Sequence, residues 1–127
     1  MNYTIQAEYT LGDMIAIYYT AYGTTSLLLV PASKRAAVLE DKFDRPDSLV
    51  QVFEGGDYRP VPYCAGMTMR NAQSTLDLRF VSQTTEQDGA VTTIVTLLQD
   101  GNGKTAEHRL IHQAGTAYLT SRTTLTN

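Results

Sequence analysis

This chain has little of what marks most functional classes. It has no tryptophan and only one cysteine, Cys64, so no internal disulfide can form. A lone thiol fits a reducing compartment. Charged residues make up 18% of the 127 positions, and the net charge is −3. Ten basic residues scattered along an acidic chain argue against nucleic-acid binding. The best apolar stretch near the N-terminus, Met14–Tyr19, is too short for a signal core or a membrane span. The expectation is a cytoplasmic protein that contacts neither nucleic acid nor membrane. There is no Cys-x-x-Cys, no His-Glu-x-x-His, no Gly-x-Ser-x-Gly elbow and no phosphate-binding glycine loop, so no metal site and no cofactor is expected.

What the chain does have is alternation. Leu76, Leu78 and Phe80 alternate with Asp77 and Arg79. Asp88-Gly89 then turns the chain into Ala90–Gln99, rich in Val, Thr, Ile and Leu. Asp100-Gly101-Asn102-Gly103 leads into Lys104–Gln113, which places Ala106, His108, Leu110 and His112 on one face. Ala114-Gly115-Thr116 precedes Ala117–Thr126. Period-two patterning between Asp-Gly and Asn-Gly turns is a strong hairpin signal.

The first half adds Asn2–Thr10, with Tyr3, Ile5, Ala7 and Tyr9 on one face, then Met14–Ala21 and Ser26–Val30, stopped by Pro31. Ser48–Phe53 reads as a further strand. Ala32–Asp41 reads either as a short helix over Lys34–Leu39 capped by Ser33, or as an irregular edge strand. Val91, Val95 and Leu97 point opposite to Ile94 and Leu98, so one open sheet cannot cover both faces. The fold class expected is all-β: an antiparallel β-sandwich of about eight strands with at most one short helix, in a single domain. A chain of this length buries about two-thirds of its unfolded surface.

Candidate chemistry is sparse. His108 and His112 stand about 13 Å apart on a strand, too far to share one ion, and read as partly exposed neighbours. Cys64 has no basic residue nearer than Arg59 and Arg70 and reads as buried and inert. The carboxylates Glu40, Asp41, Asp44, Asp47, Glu54 and Asp57 mostly flank turns and read as solvated loop charges. Tyr3, Tyr9 and Tyr118 read as core or interface residues. The long irregular stretch from Gly55 to Met67 is the loop to watch, because long loops in compact domains tend to be functional or to cover a neighbour. Arg70-Asn71 follows it. Either Asn71 turns the chain while Arg70 pairs with a nearby carboxylate, or the two carry function.

Several strings carry a resemblance. Asp47-Ser48-Leu49-Val50-Gln51-Val52 is followed by Gly56-Asp57-Tyr58 and by Ala65-Gly66-Met67-Thr68-Met69-Arg70-Asn71. Gly23-Thr24 and Leu28-Leu29-Val30-Pro31-Ala32 stand upstream; Phe80-Val81-Ser82-Gln83 and Arg122 to Asn127 stand downstream. In this order they resemble the opening part of bacterial α-galactosidases of glycoside hydrolase family 36. The D-S-L-V-Q and G-M-T-M-R-N pieces are the most specific. The resemblance implies a supersandwich-type N-terminal β-sandwich, followed in such enzymes by a catalytic (β/α)₈ barrel and a small C-terminal β domain. The family's catalytic aspartates lie in the barrel, one of them in a Lys-x-Asp motif. Lys42-Phe43-Asp44 matches that tripeptide, but it follows Glu40-Asp41 rather than an apolar strand, and no barrel pattern surrounds it.

The expectation is therefore a non-catalytic domain that packs on a catalytic barrel, shapes the site mouth and mediates homo-oligomers. Asp57, Tyr58, Arg70 and Asn71 are its candidate loop, interface or sugar-contact residues, with an α-galactoside as the ligand contacted. The alternatives are a free-standing β-sandwich module that binds carbohydrate or protein, and a small enzyme using the Gly55–Asn71 loop.

Overall fold

A computed structural model describes residues 3–40, 47–57, 69–70 and 72–127. Two antiparallel meanders face each other. The first is three-stranded, in the order β1 (Thr4–Leu11), β2 (Met14–Ala21), β3 (Thr24–Pro31). The second is four-stranded, in the order β4 (Arg79–Asp88), β5 (Val91–Gln99), β6 (Thr105–Gln113), β7 (Thr120–Thr126). Their facing sides meet in one core, where Leu11, Ala16 and Tyr18 pack on Ile94 and Leu110. The expected sandwich is present, with seven strands among the described residues.

Tight turns set the registers. Leu11 pairs with Met14 around Gly12-Asp13, Ala21 with Thr24 around Tyr22-Gly23, and Asp88 with Val91 around Gly89-Ala90. At the Tyr22-Gly23 turn both central residues have positive φ, 54° and 76°. That is the mirror-image turn whose twist suits a hairpin.

The first strand departs from its alternation. Ile5 pairs with Tyr19 and Ala7 with Tyr18, leaving Gln6 as an extra residue. A bulge of this kind swaps the faces on either side of it. Tyr3 therefore meets Tyr19 edge-on at 6.0 Å on the outer side, while Tyr9 meets Tyr18 edge-on at 5.8 Å in the core. The expected common face of Tyr3 and Tyr9 does not exist.

The ambiguous stretch after Pro31 is helical. A 3₁₀ turn, Ala32–Lys34, runs into α1 (Arg35–Glu40). No side chain caps it, Ser33 included; the Ala32 N–H instead donates to the Asp13 carbonyl at 2.8 Å. α1 lies against the outer side of β1, where the Tyr3 hydroxyl donates to the Leu39 carbonyl at 3.2 Å and Arg35 pairs with Glu8. Ile17 and Tyr19 are buried on the outer side of β2, with Tyr3, Ser26 and Asp47 beside Tyr19.

Two further expectations are corrected. Ser48–Phe53 is not a strand; the chain bends at Leu49 and Val50. The Leu49 N–H donates to the Thr25 carbonyl at the edge of β3, and Val52 is held by the Thr75 side chain rather than by a ladder. Leu76 does not begin a strand either. It closes α2 (Gln73–Leu76), a single helical turn, and β4 starts only at Arg79. Val50, Val52 and Leu78 then close the end of the sandwich over Leu98 and Ala106.

Candidate functional site

Of the four candidate residues, Asp57 and Arg70 are described; Tyr58 and Asn71 lie outside the described residues, as do Cys64 and Lys42-Phe43-Asp44. Asp57 closes its own turn. One carboxylate oxygen accepts from the Glu54 N–H at 2.9 Å, and the other accepts from the Ser74 hydroxyl at 2.8 Å. This fastens the 47–57 segment to α2. Arg70 pairs through its Nε with Asp47. Asp47 in turn offers its carbonyl to the Ser26 hydroxyl at 2.5 Å. Ser26 is the cross-strand neighbour of Tyr19. Burial pushes the Tyr19 phenol upward and Asp47 adds to the shift, while Ser26 and Arg70 oppose it. Asp57 thus anchors the seam to α2 through Ser74, and Arg70 anchors it to β3 through Asp47 and Ser26.

The seam has a third anchor. Lys104 pairs with Glu54 and sits 3.5 Å from Asp100. Asp100 also accepts from the Asn102 and Lys104 N–H groups, each at 2.9 Å, and so holds the β5–β6 turn. One lysine therefore ties the seam to that turn. Of the residues that matter most here, Thr75, Ser74 and Ser26 carry no sequence signal, and Asp47 reads in the sequence as a solvated loop charge rather than an anchor. Each acts through a partner at least 17 residues away.

The core-facing side of the four-stranded sheet carries an unexpected polar row. Registers place Gln83, Thr96, His108 and Thr123 side by side across all four strands. The Tyr9 hydroxyl donates to Gln83 Oε1 at 2.8 Å, and Gln83 Nε2 donates to Thr96 Oγ1 at 2.9 Å. His108 Nε2 lies 2.7 Å from Ser121 Oγ. His112 Nε2 donates to the Thr116 carbonyl at 3.0 Å. Both histidines are buried, at 4% and 7% exposure, which corrects the expectation of partly exposed rings. Burial holds the His108 imidazole below its ordinary value.

β7 stands apart. It is paired to β6 along one edge, and every residue in it is exposed. Its register puts Ser121, Thr123 and Leu125 on the core-facing side, yet Leu125 is 52% exposed. Among the described residues, β7 pairs with β6 alone.

Among the described residues, no group of three His, Cys, Asp or Glu side chains is placed to hold a metal ion, and no helix is long and apolar enough to cross a membrane. No family model, curated protein or solved structure matches the chain.

Proposed function

We propose that this chain is an assembly domain: a non-catalytic N-terminal β-sandwich of the kind found in family 36 α-galactosidases, which packs on a (β/α)₈ barrel, mediates homo-oligomers and works in the cytoplasm. The observation that carries this reading is β7. Among the described residues it is exposed along its whole length and unpaired along one edge, and such an edge recruits a neighbour. Here Leu125 stands exposed on the very side that elsewhere forms the core. The strings Asp47–Val52 and Ala65–Asn71 supply the family direction. The anchoring networks of Asp57 and Arg70 fit a seam held rigid for docking. Tyr58 and Asn71 complete the proposed contact set around an α-galactoside at the site mouth.

A second reading, a module that binds carbohydrate or protein on its own, draws on Tyr118, which stands 64% exposed just before β7 and offers an aromatic face.

The test adds the chain to the barrel of a family 36 α-galactosidase expressed without its own N-terminal domain. Hydrolysis of a chromogenic α-galactoside is then followed. The assembly reading expects no turnover from the chain alone and higher or longer-lived turnover from the barrel in its presence. An unaffected barrel overturns that reading. Turnover by the chain alone that disappears in Asp44→Ala overturns it too, and restores the Lys-x-Asp match.

A further inference from the structure

The polar row inside the sandwich contains two atoms that its own side chains do not satisfy. Tyr18 is fully buried, and its hydroxyl makes no hydrogen bond of good geometry; Nδ1 of the buried His108 has no partner either. Leaving such groups unpaired in a core is expensive, about 1–3 kcal/mol each. Native interiors seldom tolerate it.

Both atoms belong to residues that flank Thr96. His108 is the cross-strand neighbour of Thr96 on the same face, where side chains approach within about 5 Å. Tyr18 reaches across from the other sheet to within hydrogen-bonding range of the Thr96 hydroxyl, although the two make no bond of good geometry. Thr96 Oγ1 already accepts from Gln83 Nε2, so its own proton is free to be donated. The surroundings therefore offer two hydroxyl donors, on Tyr18 and Thr96, and one ring-nitrogen acceptor, on His108. That inventory matches the three hydrogen bonds that a buried water typically makes.

We infer that Tyr18 Oη, Thr96 Oγ1 and His108 Nδ1 form a binding site for one internal water molecule that bridges the two sheets. The water accepts from Tyr18 and Thr96 and donates to His108 Nδ1. This fixes the imidazole as the Nε2–H tautomer, which donates to Ser121 Oγ on β7. One chain of hydrogen bonds then runs from Tyr18 on the three-stranded sheet, through the water and the ring, to the strand that the sandwich leaves exposed. Tyr9 and Gln83 enter it at Thr96. A satisfied polar network of this kind specifies which residues face one another across a core.

Two measurements on the unaltered protein test the site. A crystal structure fine enough to show ordered solvent is expected to place one water about 2.7–3.0 Å from all three atoms. A dry contact, with the Tyr18 hydroxyl bonded directly to Thr96 Oγ1 or to His108 Nδ1, overturns the proposal. Nitrogen-15 NMR of the labelled protein at pH above the imidazole titration is expected to show His108 protonated on Nε2 only. A proton on Nδ1 overturns it as well.

Discussion

Thr75 Oγ1 accepts from the Val52 N–H at 2.8 Å and lies 2.7 Å from the Val52 carbonyl, so one hydroxyl does for Val52 what a neighbouring strand would do. The Met69 carbonyl also lies 2.6 Å from that hydroxyl. Thr75→Val keeps the shape but leaves the Val52 N–H without its partner in a buried place. Chemical denaturation is expected to show a loss of about 1–3 kcal/mol, with Thr75→Ser much closer to the parent. An unchanged midpoint in Thr75→Val would mean that packing alone holds the segment.

Tyr22 carries a positive φ and is 75% exposed. A left-handed backbone costs an ordinary side chain about 1–2 kcal/mol, and Asn tolerates it far better. The Asn-Gly pair is also the preferred pair for this turn. Tyr22→Asn is therefore expected to raise stability by up to about 1 kcal/mol, read as a higher midpoint at unchanged denaturant slope. A lower midpoint would show that the exposed ring packs usefully.

His108 gives the fold a pH dependence with a definite sign. Its pKa is lowered in the folded state by burial, so the unfolded chain binds the proton first as pH falls. Side chains that its registers bring alongside, Thr96, Thr123 and Ser121, are neutral, as is the Tyr18 phenol; His112 lies further along the same face. The contribution is complete above the ordinary imidazole value and is lost as pH falls below it, until the folded-state value is reached. The slope from this group is at most about 1.4 kcal/mol per pH unit. Denaturation midpoints measured on both sides of the ordinary imidazole value should fall on the acid side, and His108→Gln should flatten that fall. A midpoint that rises on acidification would contradict the burial argument.

Among the described residues β7 has an unpaired edge and exposed faces, which also bear on self-association. Unpaired edges recruit strands, and C2 dimers are the commonest closed assemblies. Analytical ultracentrifugation over a wide concentration range is expected to show a monomer–dimer equilibrium. A single monomeric species throughout would remove homo-oligomer formation from the account.

The hairpins were legible in the sequence because alternation and turn chemistry are local. Met14–Ala21 is β2 to the residue, and the Val91–Gln99 and Thr105–Gln113 strands fall within one residue of their expected bounds. Three things were not legible. The bulge at Gln6 adds one residue without disturbing the alternating pattern, so Tyr3 and Tyr9 read as one face. Ser48–Phe53 alternates like a strand, but Thr75 rather than a ladder satisfies Val52. His108 and His112 share a face as read, but their burial depends on the opposite sheet. As for the candidate site, the sequence singled out Asp57 and Arg70. Their partners, Ser74 and Asp47, become neighbours only when the seam folds.

The central claim is that the β7 side of the sandwich is a docking face. Sedimentation velocity of the chain mixed with a family 36 barrel lacking its own N-terminal domain tests it directly, with Leu125→Lys as the matched variant. The account predicts a one-to-one complex for the parent chain and its loss in Leu125→Lys, with the variant still folded because Leu125 is largely solvent-facing. Two independently sedimenting species, or a complex indifferent to Leu125→Lys, would contradict it.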